Sequence, residues 1–264
     1  MRLEREPALL MKNILSMHIC SVRHGTYSID VDVKKVGCSR HAGRDITSTN
    51  ELLDEVRAKG YAIHQAAGIC FRSRHLITNE RTIEVQGPQT SGEVEFVAAI
   101  HKGDVFISVG SDHNDRSLAE LWTPMLGKIS DTAKSKQMAP AVVAGEAWLY
   151  DDVKGHWDDI ILKSYVTTPK RRVSYQEYQL ADLLDLEYYL GRYSWLREDG
   201  SVLLGGSSRV LPSVPRDVYQ GQSSLQNVTF PHDFHFEMCD PVLKRTIAHS
   251  YVVLSLEDPD SLSL

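Results

Sequence analysis

Ser91-Gly92-Glu93-Val94-Glu95-Phe96-Val97-Ala98-Ala99-Ile100 is the stretch that decides how this chain is read. Polar and apolar side chains alternate along it, so it reads as a β-strand with Val94, Phe96 and Ala98 on one face. Side chains two apart on a strand share a face, roughly 7 Å apart. Glu93 and Glu95 therefore point the same way out of an otherwise apolar segment. Two like charges there repel, and each resists leaving water. A hard cation relieves both penalties, because Mg²⁺ and Ca²⁺ prefer oxygen ligands. The same pattern also fits an edge strand with a solvated acidic face.

A third acidic position follows. Asp104-Val105-Phe106-Ile107-Ser108-Val109-Gly110 reads as the next strand of a hairpin turning at Lys102-Gly103, and it runs into Gly110-Ser111-Asp112-His113-Asn114-Asp115-Arg116. Asp112 or Asp115 then lies at the end of a strand neighbouring the Glu pair. Three convergent carboxylates make an oxygen-rich site that leaves metal positions for water or substrate.

The rest of the composition narrows the class. The chain has 264 residues, 42% hydrophobic and 24% charged, with a net charge of −6. That is a globular balance, and it argues against nucleic acid as a partner. The densest basic run, Lys170-Arg171-Arg172, is short. No apolar run approaches the roughly 18 residues of a membrane span, and Met1 to Pro7 lacks the apolar core of a signal peptide. The C-terminal Ser261-Leu262-Ser263-Leu264 is not the peroxisomal tripeptide. Cys20, Cys38, Cys70 and Cys239 are widely spaced, which fits reduced thiols in a cytoplasmic protein. Neither the Cys nor the His spacing fits a zinc site.

Along the chain, Ile14 to Val22 and Tyr27 to Val33 read as strands joined by a turn at 23–26. Ser48-Thr49-Asn50-Glu51 is a capping box opening a helix whose buried stripe is Leu52, Leu53 and Val56, ended by Gly60. Gly87-Pro88 is a boundary signal, giving an N-terminal region over 1–87 and a β-rich domain over 88–264. Residues 176–190 place Leu180, Leu183, Leu184 and Leu190 at helical spacing. Asp199-Gly200 reads as a hairpin turn. Phe234 to Met238 and Ile247 to Leu254 form a strand pair linked through Asp240-Pro241. Residues 212–231 read as a long loop and 257–264 as a frayed tail. The pattern predicts an α+β fold dominated by β-structure.

Five motifs in order resemble the fumarylacetoacetate hydrolase-like superfamily over about residues 40–255. They are Ser91 to Glu95, Gly110 to Arg116, Ser135-Lys136-Gln137, Tyr175-Gln176-Glu177, and Phe236-Glu237-x-x-Asp240-Pro241-Val242-Leu243. The resemblance implies a mixed β-roll core holding Mg²⁺ or Mn²⁺. Its Glu-x-Glu falls on Glu93 and Glu95. Its aspartate ligand lies four residues before an arginine, which selects Asp112 with Arg116 and leaves Asp115 outside the ligand set. Its active-site lysine falls on Lys136. Its Arg-Gln pair falls on Tyr175-Gln176, so Gln176 remains as a substrate contact while the arginine is replaced.

Substrates of that superfamily are small 2-oxo or 1,3-dicarbonyl acids. A divalent ion polarises the ketone and stabilises an enolate, while Lys136 and Arg116 add positive charge at the developing oxyanion. The chain departs from the pattern twice. Hydrolytic members carry a His–Glu pair on a lid helix; counting from Gly43-Arg44-Asp45 puts Leu52 at the His and Glu55 at the Glu. Glu51, Asp54, His41 and His64 flank that position. Where the superfamily has Gly-Thr after the Asp-Gly turn, this chain has Gly205-Gly206-Ser207-Ser208, so Ser207 is the candidate hydroxyl for substrate.

The resulting expectation is a Mg²⁺- or Mn²⁺-dependent enzyme, a homodimer by resemblance, that acts on a small 2-oxo or 1,3-dicarbonyl acid through a metal-stabilised enolate, by C–C bond hydrolysis or decarboxylation. Its alternatives are a hydratase or tautomerase on the same substrates, or a non-catalytic relative that binds metal and ligand, because Leu52 cannot accept a proton.

Overall fold

The structure, a computed structural model, describes residues 12–45, 47, 50, 51, 54, 58, 68–119, 121–123, 127–129, 132–168, 170–207, 209–215, 218 and 233–257. Four strands come first: β1 (Ile14–Ser21), β2 (Gly25–Asp32), β3 (Lys35–Arg40) and β4 (Gly68–Arg72). Then come β5 (Ile77–Thr78), β6 (Thr82–Val85), β7 (Thr90–Ser91), β8 (Val94–His101), β9 (Asp104–Asp112) and β10 (Asn114–Asp115). A small ribbon of β11 (Leu121–Thr123) and β12 (Gly127–Ile129) precedes β13 (Ala141–Val143) and β14 (Glu146–Leu149). Finally come β15 (Ile161–Thr167), β16 (Arg172–Gln179), β17 (Ser201–Gly206), β18 (Asp233–Asp240) and β19 (Arg245–Ser255).

One mixed sheet runs β2-β1-β14-β9-β8-β17-β3-β4, with β13 and β5 added beside the far half of β9. A second runs β16-β15-β18-β19-β6. The chain is α+β and mostly β, as its sequence pattern predicts. The β8–β9 hairpin turns at Lys102-Gly103, both with positive φ (52° and 90°), the backbone a two-residue turn of matching twist requires.

β8 lies between β9 and β17, so the alternative of an acidic edge strand is overturned. Both of its faces are buried. Phe96, Ala98 and Ile100 pack with Phe234, Phe236, Met238 and Ile247 of the second sheet. Val97 and Ala99, on the Glu face, pack with Leu15, Met17, Val202 and Leu204. The large sheet curls over its own second face, and a strand buried on both faces reads as an apolar run once past its two carboxylates.

Strand pairing runs across residue 87 repeatedly: β1 with β14, β3 with β17, β5 with β13 and β6 with β19. The N-terminal strands thus belong to the same two sheets as the rest. Thr47, Asn50, Glu51, Asp54 and Ala58 are helical. Leu52, Leu53, Glu55, Val56 and His64 lie outside the described residues, as do 219–232 and 258–264.

Two expectations are corrected. Residues 176–190 are not one helix. Gln176 to Gln179 end β16, a 3-10 turn covers Leu180–Asp182, and a helix runs only over Leu186–Arg192. Asp185 caps that helix by accepting from the Tyr188 N–H, so the start signal sits inside the apparent leucine stripe. Leu180, Leu183 and Leu184 are buried as expected, but by a turn. Asp199-Gly200 is a turn with Gly200 at φ 82° but joins no hairpin. It leads from the 3-10 turn Ser194–Arg197 into β17, whose partners are β3 and β8.

Phe96 sits where the two sheets meet, fully buried, with Trp157 edge-on at 5.2 Å. Phe96→Ala should lower stability by about 3–5 kcal/mol, read as a reduced urea midpoint with an unchanged far-ultraviolet spectrum.

Candidate metal centre

Glu93, Glu95 and Asp112 come together. Each offers a carboxylate oxygen, all within 4.8 Å of one another. The β8–β9 register builds this, since the Asp112 N–H donates to the Glu93 carbonyl at 2.9 Å. Glu93 is 7% exposed, Glu95 2% and Asp112 0%, so this is a buried like-charge cluster rather than a wetted acidic face.

Three cations answer it. Lys136 donates to Asp112 Oδ2. Arg72 holds Asp112 Oδ1 at 2.5 Å and the His113 carbonyl at 2.9 Å. Arg116 pairs with Glu93 at 2.6 Å and with the Ser91 hydroxyl. Burial alone would raise the Glu93 pKa, but Arg116, then Lys136, outweigh it and hold the carboxyl below its ordinary range. Burial would likewise lower Lys136, and surrounding anionic groups, Glu95 and Glu93 among them, keep it raised.

Glu95 has no such partner. Its Oε2 is buried without a hydrogen bond among the described residues. Burial pushes its pKa up to about 8, against the pull of Lys136 and with the push of Glu93. An orphaned buried carboxylate oxygen beside two further carboxylates suits a divalent cation with oxygen ligands.

The sequence motifs gain physical roles. In the helix Thr132–Gln137, the Ser135 hydroxyl donates to the Asp115 carbonyl at 2.5 Å. Gln137 accepts from the Ser73 N–H at 3.1 Å and donates to the Phe71 carbonyl at 3.0 Å. Ser135 and Gln137 thus pin the helix on two sides and aim Lys136 between them. Asp115 accepts from the Leu118 N–H at 3.2 Å, a helix cap outside the carboxylate group.

Gln176 lies at the strand that carries the glutamates, with its polar atoms committed to protein. It accepts from the Val94 N–H at 2.8 Å and from the Ser164 hydroxyl at 3.2 Å. It donates to the Ser207 carbonyl at 2.7 Å and more weakly to that of Arg209. It braces β8 against the Ser207 segment, whose hydroxyl accepts from the Arg209 N–H at 3.2 Å. Gly206 faces Glu95 in register, and a Cβ there would stand 2.5 Å from Glu95 Cγ. Steric room, rather than a lost functional side chain, explains the second glycine.

His113 is buried between the Tyr251 hydroxyl at 2.8 Å and the Thr90 hydroxyl at 2.9 Å. Burial lowers its pKa well below the usual range, so it is a neutral structural histidine. Asp240 accepts from the Val242 and Leu243 N–H groups at 3.1 and 3.0 Å and from Arg245 at 3.1 Å. Its motif builds the β18–β19 turn. Arg44 clamps Asp158 with two bonds and donates to the Leu183 carbonyl at 2.8 Å, tying the segment after β3 to the turns around residues 158 and 183. Sequence reasoning missed Arg72. It stands beside Arg74 and His75 with nothing in the sequence to single it out, and its sole local signal is that Cys70 and Arg72 alternate with exposed Phe71.

Fold and site define the class: this is the fumarylacetoacetate hydrolase-like fold around an acidic centre. The chain spans 92% of itself and 99% of Cg1458 at TM-score 0.55 and 9% identity. It matches 2-keto-3-deoxyarabinonate dehydratase at TM-score 0.55 and 13% identity, over 88% of this chain and 78% of that one. It matches a protein from Oleispira antarctica, provisionally described as a fumarylacetoacetate isomerase/hydrolase, at TM-score 0.51 and 13% identity, over 90% and 99%. The chain belongs to the family described as "Protein of unknown function (DUF2848)", whose pattern matches residues 39–251. No curated protein sequence matches it. No helix among the described residues is long and apolar enough to cross a membrane.

Because the Glu95 pKa is raised from its ordinary 4.5 to about 8, the folded state favours the protonated acid. That contribution to stability is complete below about 4.5 and is lost as pH rises toward 8. Without metal, the melting temperature of wild type should fall over that window more than that of Glu95→Gln. The same variant should lose its metal-induced thermal shift; equal pH slopes for the two proteins would refute the assignment.

Proposed function

We propose that the chain is a divalent-metal-dependent enzyme acting on a small 2-oxo or 1,3-dicarbonyl acid, by C–C bond hydrolysis or by a lyase reaction such as decarboxylation. The observation that carries the reading is the buried carboxylate trio with the orphaned Glu95 oxygen, ringed by Lys136, Arg72 and Arg116. Glu93, Glu95 and Asp112 would hold Mg²⁺ or Mn²⁺. When bound, that ion supplies a Lewis acid for a substrate carbonyl. Lys136 and Arg116 supply fixed positive charge where a carbonyl oxygen becomes an enolate oxygen. Arg116, about a quarter exposed, is the guanidinium open to a substrate carboxylate.

Dehydration is the second reading. Its support is the fold shared with a protein named a 2-keto-3-deoxyarabinonate dehydratase, an enzyme of a 2-oxo acid. Glu55, the acid–base group inferred from the resemblance, lies outside the described residues, as does Leu52.

Thermal shift with Mg²⁺ or Mn²⁺, with oxalate, and with both together tests the reading. Ligands that bind only the folded state raise its apparent stability. A combined shift larger than the sum of the separate shifts is expected, and turnover of one 2-oxo acid in a panel should follow. No shift with either metal would sink the proposal. Lys136→Met should lower that turnover by about 10²–10³-fold yet bind Mn²⁺ more tightly, since Lys136 and a metal compete for Asp112.

A further inference from the structure

The face of the large sheet that carries Glu95 also carries two thiols. Cys38 on β3 and Cys70 on β4 are directly opposite each other in an antiparallel pair. Cys38 aligns with Leu204, and Leu204 with Val97, two residues along β8 from Glu95. The thiols and the carboxylates therefore share a face. Opposed residues of antiparallel strands have Cα atoms about 4.5–5.5 Å apart, inside the span a disulfide requires. Cys70 Sγ lies 3.6 Å from the Cys38 carbonyl oxygen, so its sulfur already leans toward the partner strand.

The surroundings are electropositive. The Cys70 thiol is held below its ordinary range first by a hydrogen bond with Cys38, then, against burial, by Lys136, Arg40 and Arg72. The pair couples to the centre through Arg72. That guanidinium belongs to the residue two along from Cys70, on the same face of β4, and it holds Asp112. β4 ends the sheet, so it can shift with one neighbouring strand rather than two. Cys70 keeps 6% exposure and Cys38 none, whereas Cys20 and Cys239 are more open and lack an opposed thiol.

We propose that Cys38 and Cys70 form a redox-active dithiol, a site of modification by peroxides, whose disulfide form weakens the adjoining carboxylate centre. The Cys70 thiolate attacks a peroxide oxygen: an S–O bond forms, the O–O bond breaks, and hydroxide leaves to be protonated to water. The Cys38 sulfur then attacks the sulfenic sulfur: an S–S bond forms, the S–O bond breaks, and a second water leaves. The two sulfurs together give up two electrons, and the peroxide takes up both. The new bond replaces the Cys70 contact with the Cys38 carbonyl and shifts the local β3–β4 pairing, and with it Arg72, two residues along, relative to Asp112. This consequence rests on the metal-site reading, whereas formation of the disulfide does not.

The test treats the full chain with hydrogen peroxide and maps its thiols by peptide mass spectrometry. Thermal shift with Mn²⁺ plus oxalate is followed on the same samples. Expected is a Cys38–Cys70 crosslink and a parallel loss of the ligand-induced shift, both reversed by dithiothreitol. In Cys38→Ala the crosslink should vanish and the shift should resist peroxide. Oxidation of Cys20 or Cys239 with Cys38 and Cys70 still reduced would overturn the proposal. So would a crosslink that leaves the Mn²⁺–oxalate shift intact. If reduced wild type shows no Mn²⁺–oxalate shift, the metal reading fails and takes the regulatory claim with it; the crosslink then reports on the dithiol alone.

Discussion

Three carboxylates packed within 4.8 Å and almost out of water are the constraint on which the rest of the structure depends. Ionised and unaccompanied, they would repel one another and forfeit their hydration. The chain meets this unevenly. Asp112 receives two cations and Glu93 one, each from a different element: β4, the helix over Thr132–Gln137, and the segment after β10. Glu95 receives no direct partner among the described residues and is pushed toward its neutral form. The asymmetry leaves two charged ligand groups in place and a third that becomes available when a cation arrives. Metal binding at such a centre is linked to loss of a proton.

The second sheet contributes by bracing. The Gln176 amide and the Tyr178 hydroxyl, both from β16, bond the backbone of Val94 between the two glutamates. The same groups reach the backbone of Ser207, which follows β17. β8 is therefore held on both flanks at the point where its side chains converge. Gly206 completes the arrangement, because the space its Cβ would need is already taken by Glu95. A charged cluster of this kind keeps its geometry only if the backbone beneath cannot relax away from the repulsion. Buried amide bonds are suited to that, since breaking one leaves an unsatisfied group.

What was legible in the sequence follows the range of the interactions involved. The β8–β9 hairpin declared itself through alternation and a Lys-Gly turn, and the three carboxylates sit on it or directly beside it. The strand pair after residue 233 was equally plain. The leucines at 180–190 misled because burial, which their spacing does report, was taken for helix; the Asp185 cap held the correction. Arg72 left only the faint alternation of β4, because its role depends on reaching Asp112, 40 residues away in sequence. The choice between an acidic edge strand and a buried carboxylate cluster likewise turned on a long-range pairing. Only the arrival of β17 on the open side of β8 put the glutamates indoors.

The motifs that carry the family resemblance divide by what they do physically. Glu93, Glu95, Asp112, Lys136 and Arg116 meet at the centre. Asp240 with its turn, Arg44 with Asp158, and Ser135 with Gln137 fix the elements that bring those groups together. None of either set selects a single reaction. On the proposed reading, fixed positive charge beside a carboxylate cage would favour any path through an enolate, whether the next event breaks a C–C bond, releases CO₂ or expels hydroxide. The outcome is set by which acid or base reaches the enolate and from which side. Among the described carboxylates and cations of the cage, the buried side-chain atoms without a hydrogen bond are Glu95 Oε2 and the Arg72 Nε and Nη1. An arginine cannot give up its proton and Glu95 is a ligand on the proposed reading, so the acid or base that chooses the outcome is Lys136 or a group outside this ring.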